Sequence, residues 1–221
     1  MKPPLPKLLV ITDRKLAPLR LEAMVEGIFA GGCRWISLRE YDLPPPERLR
    51  LLYRLVTVGE RWKAMVSIHE DYDAALAAGA KGVHMPRNGS VQKARQFLGG
   101  TAVIGVSAHD RNEAERAVAL GADYVTLSPI FASRSKPGYG PTIGFDELSA
   151  IAKTLPIPVY ALGGVDASNA GKCLEAGAAG IAVMGAAMRS AHPEAAVRGL
   201  VAALGQSLVT APAPGHSRPS G

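Results

Sequence analysis

Short apolar runs rich in Val, Ile and Leu alternate with longer segments rich in Ala, Leu, Glu and Arg along almost the whole chain. The short runs have the length and composition of buried β-strands, and the segments between them carry apolar residues at helical spacing. The alternation predicts repeated strand–helix units with eight strands, at residues 7–13, 34–40, 64–70, 82–86, 102–109, 123–131, 157–164 and 180–185.

A glycine followed by a small residue recurs just before four of these strands. The four segments are Ala30–Cys33, Ala78–Lys81, Leu120–Asp123 and Ala176–Ala179. Each places glycine where a helix would end in a left-handed residue, a conformation that glycine adopts without steric cost. The recurrence is a weak internal repeat, and it indicates that the strand–helix unit is the building block of the chain.

Eight such units predict a single-domain α/β protein, a (β/α)8 TIM barrel, because parallel strands need helical crossovers and cover on both faces. The competing interpretation, an open doubly wound sheet, would be favoured by Gly-x-Gly-x-x-Gly after the first strand. The sequence there is Ile11-Thr12-Asp13-Arg14-Lys15-Leu16. We expect the barrel to occupy residues 1–206, and residues 207–221, rich in Ala, Pro, Ser and Gly, to form a disordered tail.

The basic composition is compatible with an anionic small-molecule substrate. The 221 residues are 48% hydrophobic and 20% charged, which is enough for one substantial core. The net charge of +6 comes from scattered Arg and Lys without interleaved aromatic residues, so we expect no nucleic-acid partner. No apolar run is long enough for a membrane, and no signal peptide is predicted. Cys33 and Cys173 predict neither a disulfide framework nor a zinc cluster, and they suggest a cytoplasmic location.

Two predicted strands near the C-terminus stop on glycine and lead into Ala-rich segments. They end at Gly163-Gly164 and at Met184-Gly185. Free backbone N–H groups at such turns, beside the positive end of a helix, can bind a phosphate. The last two strands of a β/α barrel are the usual place for this site, so we predict a phosphate cradle here. Ordinary tight turns are the alternative.

Polar residues follow the other predicted strands, at the ends where β/α barrels carry their catalytic residues. They are Thr12-Asp13-Arg14, Ser37-Leu38-Arg39-Glu40, His69-Glu70-Asp71, His84 with Arg87-Asn88, and Ser107 with His109. Arg39 would be costly at the end of an apolar strand unless it met an anion or a carboxylate such as Glu40. His109 suits either proton transfer or a structural hydrogen bond. Glu70 and Asp71 suit either Mg²⁺ binding or capping of the next helix.

The loop at residues 128–140 is too long for a simple strand–helix connection. It places Ser133, Arg134, Ser135 and Lys136 together, and these donors suit a diphosphate. Its prolines and glycines predict a lid over the substrate.

Three further residues complete the candidate site. His69 and His84 lack a third His or Cys that would make a transition-metal site, so we interpret both as structural or substrate-shaping. We include His69 among the candidate substrate-binding residues, together with Arg87 in the segment after the fourth strand.

In one unbroken order over roughly residues 7–203, the chain resembles the thiamine phosphate synthase family, which also contains the related thiazole tautomerases. The matching motifs are Thr12-Asp13-Arg14, Leu38-Arg39-Glu40, Gly105–His109, Gly121–Tyr124, Ser128–Phe131, Lys136, Ala161–Gly164 and Gly180–Met184. The resemblance implies a TIM barrel that joins hydroxymethylpyrimidine diphosphate to thiazole phosphate, with Mg²⁺ bridging the departing diphosphate.

The resemblance also implies a role for each matched residue. Arg39 and Lys136 would neutralise the diphosphate, and Ser107, Ser133 and Ser135 would donate hydrogen bonds to it. Backbone N–H groups would bind the thiazole phosphate, at Gly164, Met184 and Gly185. This is charge stabilisation of a leaving group.

The chain departs from the synthase pattern around the expected metal site. It has His69-Glu70 in place of Asn-Asp, Pro86–Gly89 in place of Gly-Gln-x-Asp, and Tyr41 in place of a lysine. Glu70 and Asp71 are the carboxylates left to hold Mg²⁺ with substrate phosphate oxygens. The tautomerase branch needs no metal, but the histidine it uses as acid and base is Pro129 here.

Three hypotheses follow. The first is a thiamine phosphate synthase acting on small phosphorylated substrates, favoured because the residues for the diphosphate are kept. The second is a metal-independent thiazole tautomerase, and the third is a non-catalytic phosphate-binding barrel. The oligomeric state is left open, with a homo-oligomer as one alternative.

Overall fold

The computed structural model of the chain describes residues 4–133 and 140–205. Its strands are β1 (Leu8–Ile11), β2 (Trp35–Leu38), β3 (Met65–His69), β4 (Gly82–Met85), β5 (Val103–Ala108), β6 (Tyr124–Leu127), β7 (Val159–Leu162) and β8 (Gly180–Val183). Each strand pairs in parallel with the next, and β8 pairs with β1 to close the barrel. The predicted (β/α)8 TIM barrel is confirmed.

Helices connect successive strands around the outside of the barrel. Those within the described residues are α1 (Leu21–Ala30), α2 (Pro45–Arg61), α3 (Tyr72–Ala78), α4 (Val91–Leu98), α5 (Arg111–Ala119), α6 (Gly144–Ala152), α7 (Ala170–Glu175), α8 (Gly185–Met188) and α9 (Pro193–Ala203). The recurring glycines adopt the left-handed conformation that the repeat predicted. Their φ angles are 103° at Gly32, 68° at Gly79, 86° at Gly121 and 100° at Gly177.

Three aromatic rings fill the barrel interior, because glycines on neighbouring strands leave room for them. Trp35, Tyr124 and Tyr160 pack edge to face, with ring centroids 4.9, 5.4 and 5.5 Å apart. A Cβ atom on Gly105 would overlap the Tyr124 ring, and one on Gly180 would lie 2.6 Å from Cε1 of Tyr160. The barrel interior is therefore closely packed with aromatic rings, and the polar side chains lie nearer the C-terminal ends of the strands.

The C-terminal ends of all eight strands meet at one end of the barrel, called here the barrel mouth. Each strand stops one to four residues before its predicted end, and the largest difference is in β6, which ends at Leu127 rather than at residue 131. Pro129 has no amide hydrogen with which to continue the ladder. In β7, Gly163 and Gly164 leave the strand conformation with φ of 92° and 64°.

Two further predictions concern the C-terminal tail and membrane-spanning segments. The tail predicted at residues 207–221 lies outside the described residues. Among residues 4–133 and 140–205, no helix has both the length and the apolar character needed to cross a membrane.

Candidate active site

Two histidines lie side by side inside the barrel mouth. His69 of β3 is the register partner of His84 of β4, and their ring centroids are 4.8 Å apart. Both ring nitrogens of His84 are occupied, since Nδ1 lies 2.9 Å from the Tyr124 hydroxyl and Nε2 lies 2.9 Å from Oγ of Ser107. Burial lowers the pKa of His84 to about 4, so its ring is neutral near neutral pH. The predicted site residue Ser107 is thus a partner of His84.

His69 differs from its neighbour because only one of its ring nitrogens is satisfied. Its Nδ1 lies 3.2 Å from the hydroxyl of Tyr41, whereas its buried Nε2 has no hydrogen-bond partner among the residues that the structure describes. Burial, and then the nearby His84 and Arg39, lower the pKa of His69 well below the ordinary histidine value. The His69 ring is therefore neutral, and it brings an unpaired polar atom into the mouth.

Arg39 lies beside this pair but does not bind the carboxylate next to it in sequence. The Arg39 guanidinium carbon is 4.8 Å from the centroid of the Tyr41 ring, a cation–π geometry. The buried carboxylate of Glu40 instead accepts hydrogen bonds of 3.0 and 3.2 Å from the backbone N–H of Arg14. Glu40 therefore fixes the loop after β1, and Arg39 remains suited to an anion.

The carboxylates of Glu70 and Asp71 are already engaged within the protein. Oε1 of Glu70 accepts a 2.8 Å hydrogen bond from the Tyr41 hydroxyl. Asp71 is the N-cap of α3, with Oδ1 2.9 Å from the backbone nitrogen of Ala74, and its Oδ2 pairs with Arg48 at 2.6 Å. Among the described residues no group of three or more His, Cys, Asp or Glu could hold a metal ion. Both carboxylates therefore have partners within the protein, and their role as Mg²⁺ ligands stays a prediction.

His109 and Arg87 meet at a residue that sequence reasoning did not single out, Glu113 of α5. The Glu113 carboxylate lies 2.8 Å from Nδ1 of His109 and accepts its backbone N–H at 2.9 Å. The same carboxylate pairs with Arg87 at 3.0 Å. Partial burial raises the pKa of Glu113, but the hydrogen bonds from His109 and Arg87 outweigh this and lower it. Glu113 thus orients the His109 ring.

The glycine turn after β7 packs against the segment that follows β6. A Cβ on Gly163 would lie 2.9 Å from Cα of Pro129, and one on Gly164 would lie 2.5 Å from the carbonyl oxygen of Ala132. Asn169 donates a 3.0 Å hydrogen bond to the carbonyl oxygen of Gly164 and braces the turn. Close packing and positive φ together require glycine at both positions. The turn therefore lies next to the chain that leads into Ser133.

Met184 and Gly185 occupy the corresponding position after β8. Met184 precedes α8 as its N-cap residue, and Gly185 is the first residue of that helix.

Ser135 and Lys136, the other predicted donors for the diphosphate, fall at residues 134–139 and lie outside the described residues. Their roles stay predictions.

The structure brings Arg39, His69 and Glu70 together through Tyr41, and it joins His109 to Arg87 through Glu113. A pocket of about 250 Å³ opens beside the first group, lined by Tyr41, Arg48, Glu70, Asp71, Tyr72 and Asp73. A larger pocket of about 570 Å³ is lined by Arg14 and by residues in or near α1 and α2, and by none of the residues of these two groups. We assign the site to the mouth because it contains Arg39 and the buried His69 and His84, none of which lines the larger pocket.

The sequence places Ser37 at the end of the second strand without indicating a role for it, and in the structure its buried Oγ has no partner among the described residues. Ser37 pairs in register with Ser67, two residues before His69 on the neighbouring strand. Side chains alternate between the two faces of a strand, so Ser37 shares the inward face with Trp35 and Arg39. That alternation is the signal that could have identified it.

Comparison with known proteins gives a consistent result. Residues 8–187 match the sequence profile of a family described as thiamine monophosphate synthase. The chain is 44% identical over 199 residues to a putative thiamine-phosphate synthase of Geobacter sulfurreducens, covering 89% of this chain and 93% of that protein. It is 35% identical over 201 residues to a thiamine-phosphate synthase of a Roseiflexus species, covering 90% and 85% of the two chains.

A solved structure agrees with the sequence matches. A thiamine phosphate pyrophosphorylase from Pyrococcus furiosus superposes with a TM-score of 0.82 at 30% identity, over 90% of this chain and 95% of the other. The chain belongs to the thiamine monophosphate synthase family.

Proposed function

We propose that this protein is a thiamine-phosphate synthase, a transferase that joins hydroxymethylpyrimidine diphosphate to thiazole phosphate. The family match over residues 8–187 carries the proposal. The geometry supports it, because Arg39 and two glycine turns lie at the barrel mouth, where both phosphorylated substrates would have to meet. The products are thiamine phosphate and diphosphate.

The bond changes define what the site must do. The thiazole ring nitrogen donates its electron pair to the methylene carbon of the pyrimidine, and the bond from that carbon to the diphosphate oxygen breaks. Its electrons leave with the diphosphate while positive charge develops on the pyrimidine. Arg39 binds the departing diphosphate and stabilises its growing negative charge. Ser133 and the predicted donors Ser135 and Lys136 act on the same group.

The other substrate is held by its phosphate. The turns at Gly163-Gly164 and Met184-Gly185 offer backbone N–H groups, which bind phosphate without a side chain that would fill the space. Holding both substrates close to the reacting distance converts a two-molecule encounter into a reaction within one complex. We assign the thiazole phosphate to these turns and the diphosphate to the Arg39 side.

Magnesium bound by Glu70 and Asp71 stays a prediction, and no step above depends on it. Asp71 caps a helix and pairs with Arg48, so binding a metal would cost both interactions. A Mg²⁺ ion held mainly by diphosphate oxygens would neutralise part of the leaving-group charge.

The deciding experiment mixes both phosphorylated precursors with the full-length protein and Mg²⁺ and measures thiamine phosphate. The proposal predicts thiamine phosphate and diphosphate in equal amounts, and no product when either precursor is omitted. Tautomer exchange of a thiazole phosphate without any coupled product would assign the protein to the tautomerase branch. Binding without either reaction would support a non-catalytic barrel and overturn the proposal.

A further inference from the structure

Three of the positions at which the chain departs from the synthase pattern form one hydrogen-bonded group. The Tyr41 hydroxyl donates to Oε1 of Glu70 at 2.8 Å, and its oxygen lies 3.2 Å from Nδ1 of His69. The Tyr41 ring meets the His69 ring edge to face, with centroids 6.1 Å apart. Apart from the cation–π contact between Tyr41 and Arg39, neither Tyr41 nor Glu70 has a role in the site described above, so the hydrogen bonds that join them need an explanation.

The hydrogen-bond directions within this group determine which ring nitrogen of the neutral His69 carries the hydrogen. Tyr41 has one hydroxyl proton, and that proton points at the Glu70 carboxylate. The hydroxyl oxygen can therefore only accept at its contact with His69, so Nδ1 must carry a hydrogen. A neutral imidazole has one N–H, which leaves Nε2 with a lone pair and no hydrogen.

This lone pair is buried, and it is unpaired among the described residues. Buried polar atoms in folded proteins nearly always have a partner, so an exception needs an explanation such as a catalytic role or a bound group. Oγ of Ser37, on the same inward face of the neighbouring strand, is a second unpaired buried atom. His84 is a contrast within the same layer, since both of its nitrogens are satisfied by Tyr124 and Ser107.

We propose that Tyr41 and Glu70 are positioning residues that hold His69 in the Nδ1–H tautomer, so that Nε2 accepts a hydrogen bond from an N–H group of the substrate. The inference rests on the proposed function for the identity of that substrate. Phosphate oxygens near neutral pH are mainly acceptors and do not match a bare Nε2. Of the two precursors, the hydroxymethylpyrimidine carries an amino group on its ring, away from its phosphates. His69 therefore recognises the N–H donors of this amino group.

The same geometry gives Glu70 a role other than metal binding. A metal ligand at this position needs a carboxylate, whereas the contact to Tyr41 needs only an oxygen that accepts a hydrogen bond. Glu70→Gln keeps such an oxygen and removes the charge, while Glu70→Ala removes both. These two substitutions separate the two roles.

The first test reads the tautomer directly, in the free full-length protein labelled with ¹⁵N. Long-range ¹H–¹⁵N spectra distinguish a ring nitrogen that carries hydrogen from one that does not, and the His69→Asn spectrum identifies the His69 signals. We expect hydrogen on Nδ1 in the wild type and in Glu70→Gln, and a mixture of tautomers in Tyr41→Phe and Glu70→Ala. Hydrogen on Nε2 in the wild type, or an unchanged tautomer in Tyr41→Phe, would overturn the proposal.

The second test measures recognition without requiring catalysis. The probes are 4-amino-5-hydroxymethyl-2-methylpyrimidine and the analogue that lacks its amino group, with affinities measured by calorimetry. The His69→Leu substitution and the loss of the amino group should each weaken binding of the probe about tenfold. Combining the two changes should weaken binding no more than either change alone, because both remove the same hydrogen bond. Independent, multiplicative losses would overturn the proposal, and exposed His192→Gln is the control, expected to bind like the wild type.

The two proposals fail in different ways. Thiamine phosphate formation without coupling between His69 and the amino group would leave the proposed function standing and remove this inference. Coupling between them in a protein that makes no thiamine phosphate would support the recognition role and remove the proposed function.

Discussion

Gly105 of β5 lies directly against the ring of Tyr124 on β6, so closely that a Cβ atom would overlap the Cζ, Cε1 and hydroxyl atoms of that ring. Tyr124 is fully buried and holds Nδ1 of His84 through its hydroxyl. A missing side chain on one strand therefore makes room for the ring that supports the polar layer of the site.

Gly105→Ala should destabilise the protein by about 1–3 kcal/mol or more, because the buried ring has little room to move. Urea unfolding followed by circular dichroism measures the loss. Gly100→Ala is the matched control, since nothing lies within 4 Å of the added Cβ. Equal stability of the two variants would show that the barrel interior adapts more than the packing indicates.

The free energy of unfolding should fall as the pH drops from about 6.5, the reference histidine pKa, towards about 4, the pKa of His84 in the folded protein. Between these values the unfolded chain binds a proton that the folded protein does not, so stability rises with pH. Each such histidine contributes a slope of about 1.4 kcal/mol per pH unit within this window.

Urea titrations at several pH values measure this slope. His84→Gln should reduce it, and His192→Gln, at an exposed position, should leave it unchanged. His69 adds to the slope, because burial also lowers its pKa. A slope unaffected by His84→Gln would mean that this ring is not a buried neutral group.

Arg39→Met should weaken binding of inorganic diphosphate about 10- to 100-fold, the usual effect of losing a charged hydrogen bond. Calorimetry gives the affinity, and steady-state kinetics should show an increased KM for the diphosphate substrate with a smaller effect on thiazole phosphate. Arg116→Met removes an exposed arginine on α5 and should change neither value. Equal losses for both substrates would contradict the division of the site into two halves.

Gly164→Ala should impair binding of both substrates. Its Cβ would strain a residue with φ of 64° and would lie 2.5 Å from the carbonyl oxygen of Ala132, directly before Ser133. The phosphate turn and the segment leading to the diphosphate loop would therefore move together. KM values for each substrate measure this, with Gly100→Ala as the control, and an effect confined to thiazole phosphate would show that the two elements are independent.

The barrel could be predicted from sequence because its signals are local. Apolar strand runs and helix-ending glycines recur along the chain, and each can be recognised without knowing where the others lie. The site was harder, because its decisive contacts join residues distant in sequence. Tyr41 and Glu70 are 29 positions apart, and Glu113 collects His109 and Arg87 from two different loops. Composition and spacing do not report which side chains satisfy one another.

The most direct test of the account is a crystal structure of the protein with both inorganic diphosphate and thiazole phosphate bound. We expect two separate anions in the barrel mouth, with diphosphate contacting the Arg39 guanidinium and thiazole phosphate contacting the backbone N–H groups at Gly164 and Gly185. Diphosphate bound at the glycine turns with nothing at Arg39, or both anions outside the mouth, would contradict this expectation.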